Sequence, residues 1–193
     1  MSKYQISFME NNDIEEAAKV LSIAMLNNPF HVAIFQGRSE NARLEIEKMF
    51  IGLFTKLPGI VFLAKDGKKI IGVMRMKSCV GSKIPANLIE GIEEHTLEYR
   101  KHIWQKEWAI HDPGAQHWHL GPIGVLPTYR GMGIGSELMQ IFCKEVDACS
   151  AQAYLETDLD ENVRFYQKFG FEVIDISDIF QVENRYMLRN PRT

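Results

Sequence analysis

Val125-Leu126-Pro127-Thr128-Tyr129-Arg130-Gly131-Met132-Gly133-Ile134-Gly135-Ser136 is the stretch whose reading decides the fold. Upstream, Trp118 to Leu126 reads as a strand. Downstream, Ile134 to Cys149 places Ile134, Leu138, Ile141 and Phe142 on one stripe, the spacing of a helix with a single buried face. A strand therefore feeds a helix through a short glycine-rich turn. A helix start offers unpaired N–H groups and the positive end of its dipole, and closely spaced glycines let backbone approach an anion that side chains would block. This junction predicts a phosphate seat, with Arg130 as a positive charge at its rim.

Two common phosphate motifs fit it poorly. A nucleotide triphosphate loop needs Lys and then Ser or Thr after its last glycine, whereas Gly135 is followed by Ser136. A dinucleotide fingerprint needs Gly-x-Gly-x-x-Gly, and Gly131, Gly133 and Gly135 run Gly-x-Gly-x-Gly with Ser136 where the third glycine belongs. Glu156 lies at about the right distance downstream for the second motif, so a nucleotide-binding oxidoreductase stays open as an alternative.

Working outward, Tyr4 to Phe8 forms a short apolar run. Asp13 opens a helical pattern through Ile14, Ala18, Leu21 and Met25 that Asn27-Asn28-Pro29 halts, and a second helix from about Ser39 is expected to bury Ile46, Phe50, Leu53, Phe54 and Leu57. Ile60 to Ala64 and Ile70 to Met76 flank an Asp66-Gly67 turn and predict an antiparallel hairpin. Residues 84–110 read as an inserted helical segment, with Leu88, Ile92, Tyr99 and Ile103 inward and Trp104 and Trp108 near its end. After the junction come a strand at Ala153 to Glu156, a helix at Asn162 to Phe169, a strand at Phe171 to Ile176 and a last strand from Gln181 to Leu188. No repeat or linker interrupts the pattern, so residues 1–193 are expected to form a single mixed α/β domain.

Composition bounds the function. The 193 residues are 46% hydrophobic and 24% charged, the balance of a globular chain. A formal net charge of −3 with no Lys/Arg block argues against nucleic acid as a partner. The start has no signal-peptide pattern and no apolar run reaches spanning length, which points away from a membrane and toward the cytoplasm. Cys79, Cys143 and Cys149 form no Cys-x-x-Cys pair, so neither a metal site nor a disulfide framework is expected; they read as three reduced packing residues.

Arg130, Gly133 and Gly135 match the Arg/Gln-x-x-Gly-x-Gly/Ala pattern, and the whole segment resembles the acetyl-CoA signature of the GNAT acetyltransferase superfamily. Asn162-Val163-Arg164-Phe165-Tyr166 with Phe169-Gly170-Phe171 resembles that family's second motif at the expected distance. Within the same region, His117-Trp118-His119-Leu120 and Leu155-Glu156-Thr157 are similar to the puromycin N-acetyltransferase branch. The resemblance implies an α/β (α+β) fold with a mixed, mostly antiparallel central sheet, helices on both faces, and parallel strands 4 and 5 that splay apart. It implies an N-acetyltransferase that moves the acetyl group of acetyl-CoA to a primary amine of a small molecule by direct attack, without a metal.

Carried onto this chain, the resemblance places Ile123, Gly124 and Val125 along the pantetheine arm. The amides of Gly131, Met132, Gly133, Ile134, Gly135 and Ser136 fall on the diphosphate, and Arg130 at its rim. Pro122 cannot donate in a strand, which implies a bulge or an edge there. Asn162 matches the amide ligand of the cofactor arm. Its other reading is helix capping, although Asp158 and Glu161 already offer a capping box. Tyr166 matches the general acid, its other reading being a buried stripe with Val163 and Phe169. A base must take the proton of the attacking amine: Glu156 is the first candidate and His119 the second. Residues 84–110, with Tyr99, Trp104 and Trp108, are where acceptor specificity is expected. A non-catalytic acyl-CoA sensor is a further alternative, and a homodimer is one assembly open to the chain.

Overall fold

The computed structural model describes residues 4–81, 93 and 95–192. Its strands are β1 Gln5–Phe8, β2 Ile60–Asp66, β3 Lys69–Cys79, β4 His117–Val125, β5 Gln152–Thr157, β6 Glu172–Ile179 and β7 Val182–Arg189. Its α-helices are α1 Ile14–Met25, α2 Pro29–Phe35, α3 Glu40–Lys56, α4 Leu97–His111, α5 Ile134–Ala148 and α6 Asp160–Gln167. The strands form one seven-stranded sheet in the order β1-β2-β3-β4-β5-β7-β6. Every neighbouring pair is antiparallel except β4 and β5. This is the mixed α/β architecture that the sequence predicts, with α2 added among the described residues.

Two glycines show how the helices are shared between the faces. Gly124 on β4 presses on α1 so closely that an added Cβ would stand 2.9 Å from Leu21 and 3.0 Å from Ala24. Gly72 on β3, one ladder step away and pointing the opposite way, would set a Cβ 3.0 Å from Ile134 of α5. Helices α1 and α3 therefore pack together on one face and α5 covers the other. Ile134, Leu138, Phe142 and Val146 of α5 are buried in one continuous core with the sheet.

Helix α2 has no counterpart in the sequence reading, which takes Asn28-Pro29 only as a stop. Asn28 instead caps a new helix: its side chain accepts from the His31 N–H, and Pro29 occupies the first turn, where its missing N–H costs nothing. The capping box expected from Asp158 and Glu161 does not form. The N-cap of α6 is Leu159, and the Asp158 carboxylate turns away to accept from Asn28 Nδ2 at 2.7 Å and from the Phe30 N–H at 2.7 Å. Asp158 thus serves the first turn of α2 and joins it to the β5–α6 loop.

Of the inserted segment, α4 begins at Leu97 and is capped by Thr96, while Ile84, Leu88 and Ile92 lie outside the described residues. No residue of α4 is fully buried. Leu57, expected inside, is 57% exposed, because the end of α3 walls a cavity instead of the core. Cys149 also departs from the packing role: it is exposed at the end of α5, while Cys143 is buried.

Asp158→Ala removes two hydrogen bonds to a charged acceptor and is expected to destabilise the fold by about 2–4 kcal/mol. Equilibrium urea unfolding of the variant beside the parent measures it.

Candidate active site

Strands β4 and β5 pair over only His117↔Gln152, Trp118↔Ala153 and His119↔Tyr154. Beyond that point β4 remains bonded to β3, and β5 to β7, but the two no longer meet. The β3–β4 register slips where they part, so that Met76 faces Leu120 and Met74 faces Ile123, leaving Gly121 and Pro122 opposite Arg75 alone. This is the bulge that Pro122 predicts: the proline cannot donate, the extra residue bends the strand, and the edge of Ile123 to Val125 away from β3 is left without a partner strand.

The wedge opens into a cavity of about 600 Å³. Gly121, Pro122, Ile123 and Glu156 form its floor, Asn162 and Tyr166 one side, and Phe30, Phe50, Leu53, Trp104 and Trp108 an apolar wall. Phe30 stacks on Trp108 with centroids 5.9 Å apart and meets Trp104 edge-on at 5.2 Å. The structure therefore brings together His119, Glu156, Asn162 and Tyr166, and adds Trp104 and Trp108 but not Tyr99.

At the other end of the wedge lies the glycine turn. Gly131 and Gly133 have φ of 78° and 84°, a left-handed backbone that favours glycine, and an added Cβ on either meets nothing within 4 Å. Gly133 is the N-cap of α5 and no side chain caps the helix, so the first-turn N–H groups open onto clear space. Arg130 is exposed and its guanidinium donates to the Ala24 carbonyl of α1 at 2.8 Å, so it fixes the turn to α1 as well as bringing charge to the rim.

Charge around the wedge is arranged by burial. His119 Nε2 lies 2.8 Å from Glu156 Oε2, and these side chains are 10% and 3% exposed. Burial opposes a charged imidazole, but the Glu156 carboxylate, aided by the Cys79 sulfur, outweighs it and raises the His119 pKa to about 9. Cys79 lies against both His117 and His119; burial pushes its thiol up, and the two imidazoles pull it further down, to about 6. His117 in turn sits 3.4 Å from Asp112, with its Nδ1 2.9 Å from the Ala115 carbonyl. Tyr166 is 7% exposed, with no hydrogen bond to its hydroxyl among the described residues, and burial together with the Asp158 charge raises its pKa.

His31 is a member of the site that sequence reasoning missed. Asn28 Nδ2 must donate to the Asp158 carboxylate, so Asn28 Oδ1 accepts, and His31 Nδ1, 2.9 Å away, carries the proton. Its Nε2 is left as a buried lone pair with no partner among the described residues, and burial lowers the ring's pKa to about 4, which keeps it neutral. Arg75 was missed as well, although an arginine inside the apolar run Ile70 to Met76 was the signal for it.

Residues 26–171 match the acetyltransferase (GNAT) family, and the chain belongs to that family. Among solved structures, a histone acetyltransferase HPA2 and related acetyltransferase from Corynebacterium glutamicum superposes with a TM-score of 0.72 at 18% identity, over 100% of this chain and 98% of that one. A mosquito arylalkylamine N-acetyltransferase like 5b gives 0.73 at 17% identity, over 97% and 99%. A GNAT family acetyltransferase from Brucella melitensis, in complex with acetyl-CoA, gives 0.58 at 17% identity, over 100% and 91%. These likenesses carry the fold. No helix among the described residues is long and apolar enough to cross a membrane, and no group of residues among them is arranged to hold a metal.

The depressed thiol is directly measurable. Cys79 is expected to alkylate with iodoacetamide along a curve that rises through about pH 6, while Cys143, whose thiol burial pushes up, reacts far more slowly. Peptide mass spectrometry across pH 5–9 reads both sites at once.

Proposed function

We propose that this protein is an acetyl-CoA-dependent N-acetyltransferase acting on a primary amine of a small molecule. The observation that carries the reading is the single wedge: an uncapped helix start with a left-handed glycine turn at one end, a partnerless β4 edge along it, and an aromatic-walled cavity with titratable groups at the other. A linear molecule with a diphosphate at one end and an acyl group at the other suits that order. The amides of Gly131 to Ser136 hold the diphosphate, the free edge of Ile123, Gly124 and Val125 pairs with the pantetheine amides as an added strand would, and Asn162 binds the arm from α6.

Acetyl-CoA supplies the activated acyl group. The amine nitrogen bonds to its carbonyl carbon, the carbon–sulfur bond breaks, the amine proton leaves to a base and the thiolate takes a proton from an acid. Tyr166 fits the acid: its buried phenol stays protonated, and no hydrogen bond from the described residues engages its hydroxyl. The His119–Glu156 pair fits the base. With the His119 pKa at about 9 the imidazole is largely charged at neutral pH, and its basic form grows as pH rises through that value. A non-catalytic acyl-CoA sensor needs neither a protonated phenol nor a buried carboxylate–imidazole pair beside the bulge, so those groups favour turnover.

The cradle and the chemistry separate by mutation. Gly133→Val, with a branched side chain at φ 84°, is expected to abolish CoA binding by calorimetry, whereas Tyr166→Phe retains it and loses roughly 10²-fold or more in thiol release. Unchanged affinity in a folded Gly133→Val protein removes the reading, and CoA binding without thiol release from any amine hands it to the sensor.

The pH profile tests the base. Wild-type kcat/KM is expected to rise with pH up to about 9. Glu156→Gln removes the carboxylate that most raises the His119 pKa, so its rising limb moves to lower pH with the same amine. An unmoved limb assigns the ionisation to the amine and removes His119 from the role.

A further inference from the structure

The strongest feature the mechanism leaves unused is Arg75. It is 3% exposed, it is one of the residues lining the cavity, and burial lowers its pKa, the mark of a cation taken from water with little counter-charge beside it. Its protein hydrogen bond runs to the Pro58 carbonyl, a neutral acceptor. No carboxylate among the described residues pairs with it, and the charge that acts on it is Cys79, four positions along the same strand.

Position makes this specific. Arg75 stands opposite the Gly121-Pro122 bulge, and its Nη1 comes within 3.5 Å of where a Gly121 Cβ would be. The glycine leaves the guanidinium room beside the floor of the wedge. Lys77, two residues on and on the same face of β3, also lines the cavity and is paired across the ladder with His119. The two carboxylates among the described residues of the cavity are committed elsewhere, Glu156 to His119 and Asp158 to Asn28 and the Phe30 N–H. A cavity that must receive an amine thus presents, next to the base, positive charge that no carboxylate among the described residues offsets.

We infer that the acceptor carries a carboxylate close to its reactive amine, held by Arg75, with an apolar or aromatic body against Phe30, Trp104 and Trp108: an apolar α-amino acid or a compound built like one. This inference rests on the transferase reading above. The carboxylate supplies the counter-charge that the guanidinium lacks, in the planar two-point geometry that arginine favours. It also separates the substrate's amine from the cationic wall, because the charge nearest Arg75 is then negative.

Matched amines test it: phenylalanine against phenethylamine, and leucine against isoamylamine, each followed by thiol release from acetyl-CoA and by calorimetric binding to CoA-saturated protein. The carboxylated member of each pair is expected to be preferred, and Arg75→Met to erase that preference through a roughly 10- to 100-fold loss on the carboxylated amine alone. Because Arg75 also holds the Pro58 carbonyl, Arg75→Lys is the second variant; it keeps the charge and retains part of the preference. A wild-type preference for the plain amines, equal losses on both members, or no binding of either amino acid overturns the inference. Amino acids that bind through Arg75 without thiol release leave the anchor standing and sink the transfer reaction instead.

Discussion

The constraint on which the rest depends is that β4 and β5 pair for three residues and then cannot continue. A parallel ladder gains a hydrogen bond at nearly every step, so two strands in register part only where something prevents the next bond. Pro122 lacks a donor, and the bulge at Gly121 and Pro122 falls just beyond the last β4–β5 pair, His119 and Tyr154. Each strand keeps its outer neighbour, so the sheet stays whole while a slot opens in its middle. Backbone groups inside a sheet are otherwise spoken for; here a row of them is available to a ligand with amides of its own.

That slot also sets the electrostatics. Side chains at its floor come from the interior of a sheet, where water is scarce and charges act on one another strongly. The same Glu156 that is 3% exposed in its side chain is what holds His119 charged, and the same burial that raises Tyr166 keeps its proton in place. Tyr166 and His119 are thus both held protonated at neutral pH within one cavity, and the imidazole gives up its proton only as pH rises. Arg75 has no carboxylate partner among the described residues, and in a low-dielectric floor such a charge is resolved either by loss of its proton or by an anion. A guanidinium does not give up its proton.

What the sequence revealed follows from how local each cause is. Positive φ at Gly131 and Gly133, the uncapped start of α5 and the proline in β4 are properties of a few consecutive residues, and each could be read from those residues alone. The strands and long helices were legible through period, and the sheet order only through resemblance. Helix α2 was not, because its seven residues hold no stripe long enough to read and its anchor, Asp158, lies 130 residues from Asn28 in the chain. Asp158 misled for the same reason: spacing alone makes it a cap for α6, and tertiary contact sends it to α2. His31 and Arg75 became site residues only when a cavity formed beside them. An arginine among apolar strand residues shows that something is unusual, but not which way the side chain turns.

Helix α1 and the turn after it connect the two ends of the wedge. Arg130, from the glycine turn, bonds the Ala24 carbonyl near the end of α1. Gly124 lets α1 press directly onto β4 at Leu21 and Ala24. The chain leaves α1 at Met25 and within a few residues supplies Asn28, Phe30 and His31 to the cavity, where Asp158 locks them to the loop that begins α6 and carries Asn162 and Tyr166. The glycine turn, the aromatic wall and Tyr166 are therefore referenced to one short path of direct contacts. That path gives a physical reason for an exposed arginine to bond a backbone carbonyl rather than remain free in solvent: its position relative to α1 aligns the glycine turn with the aromatic wall of the cavity, the two places that the proposed function makes the seats of donor and acceptor.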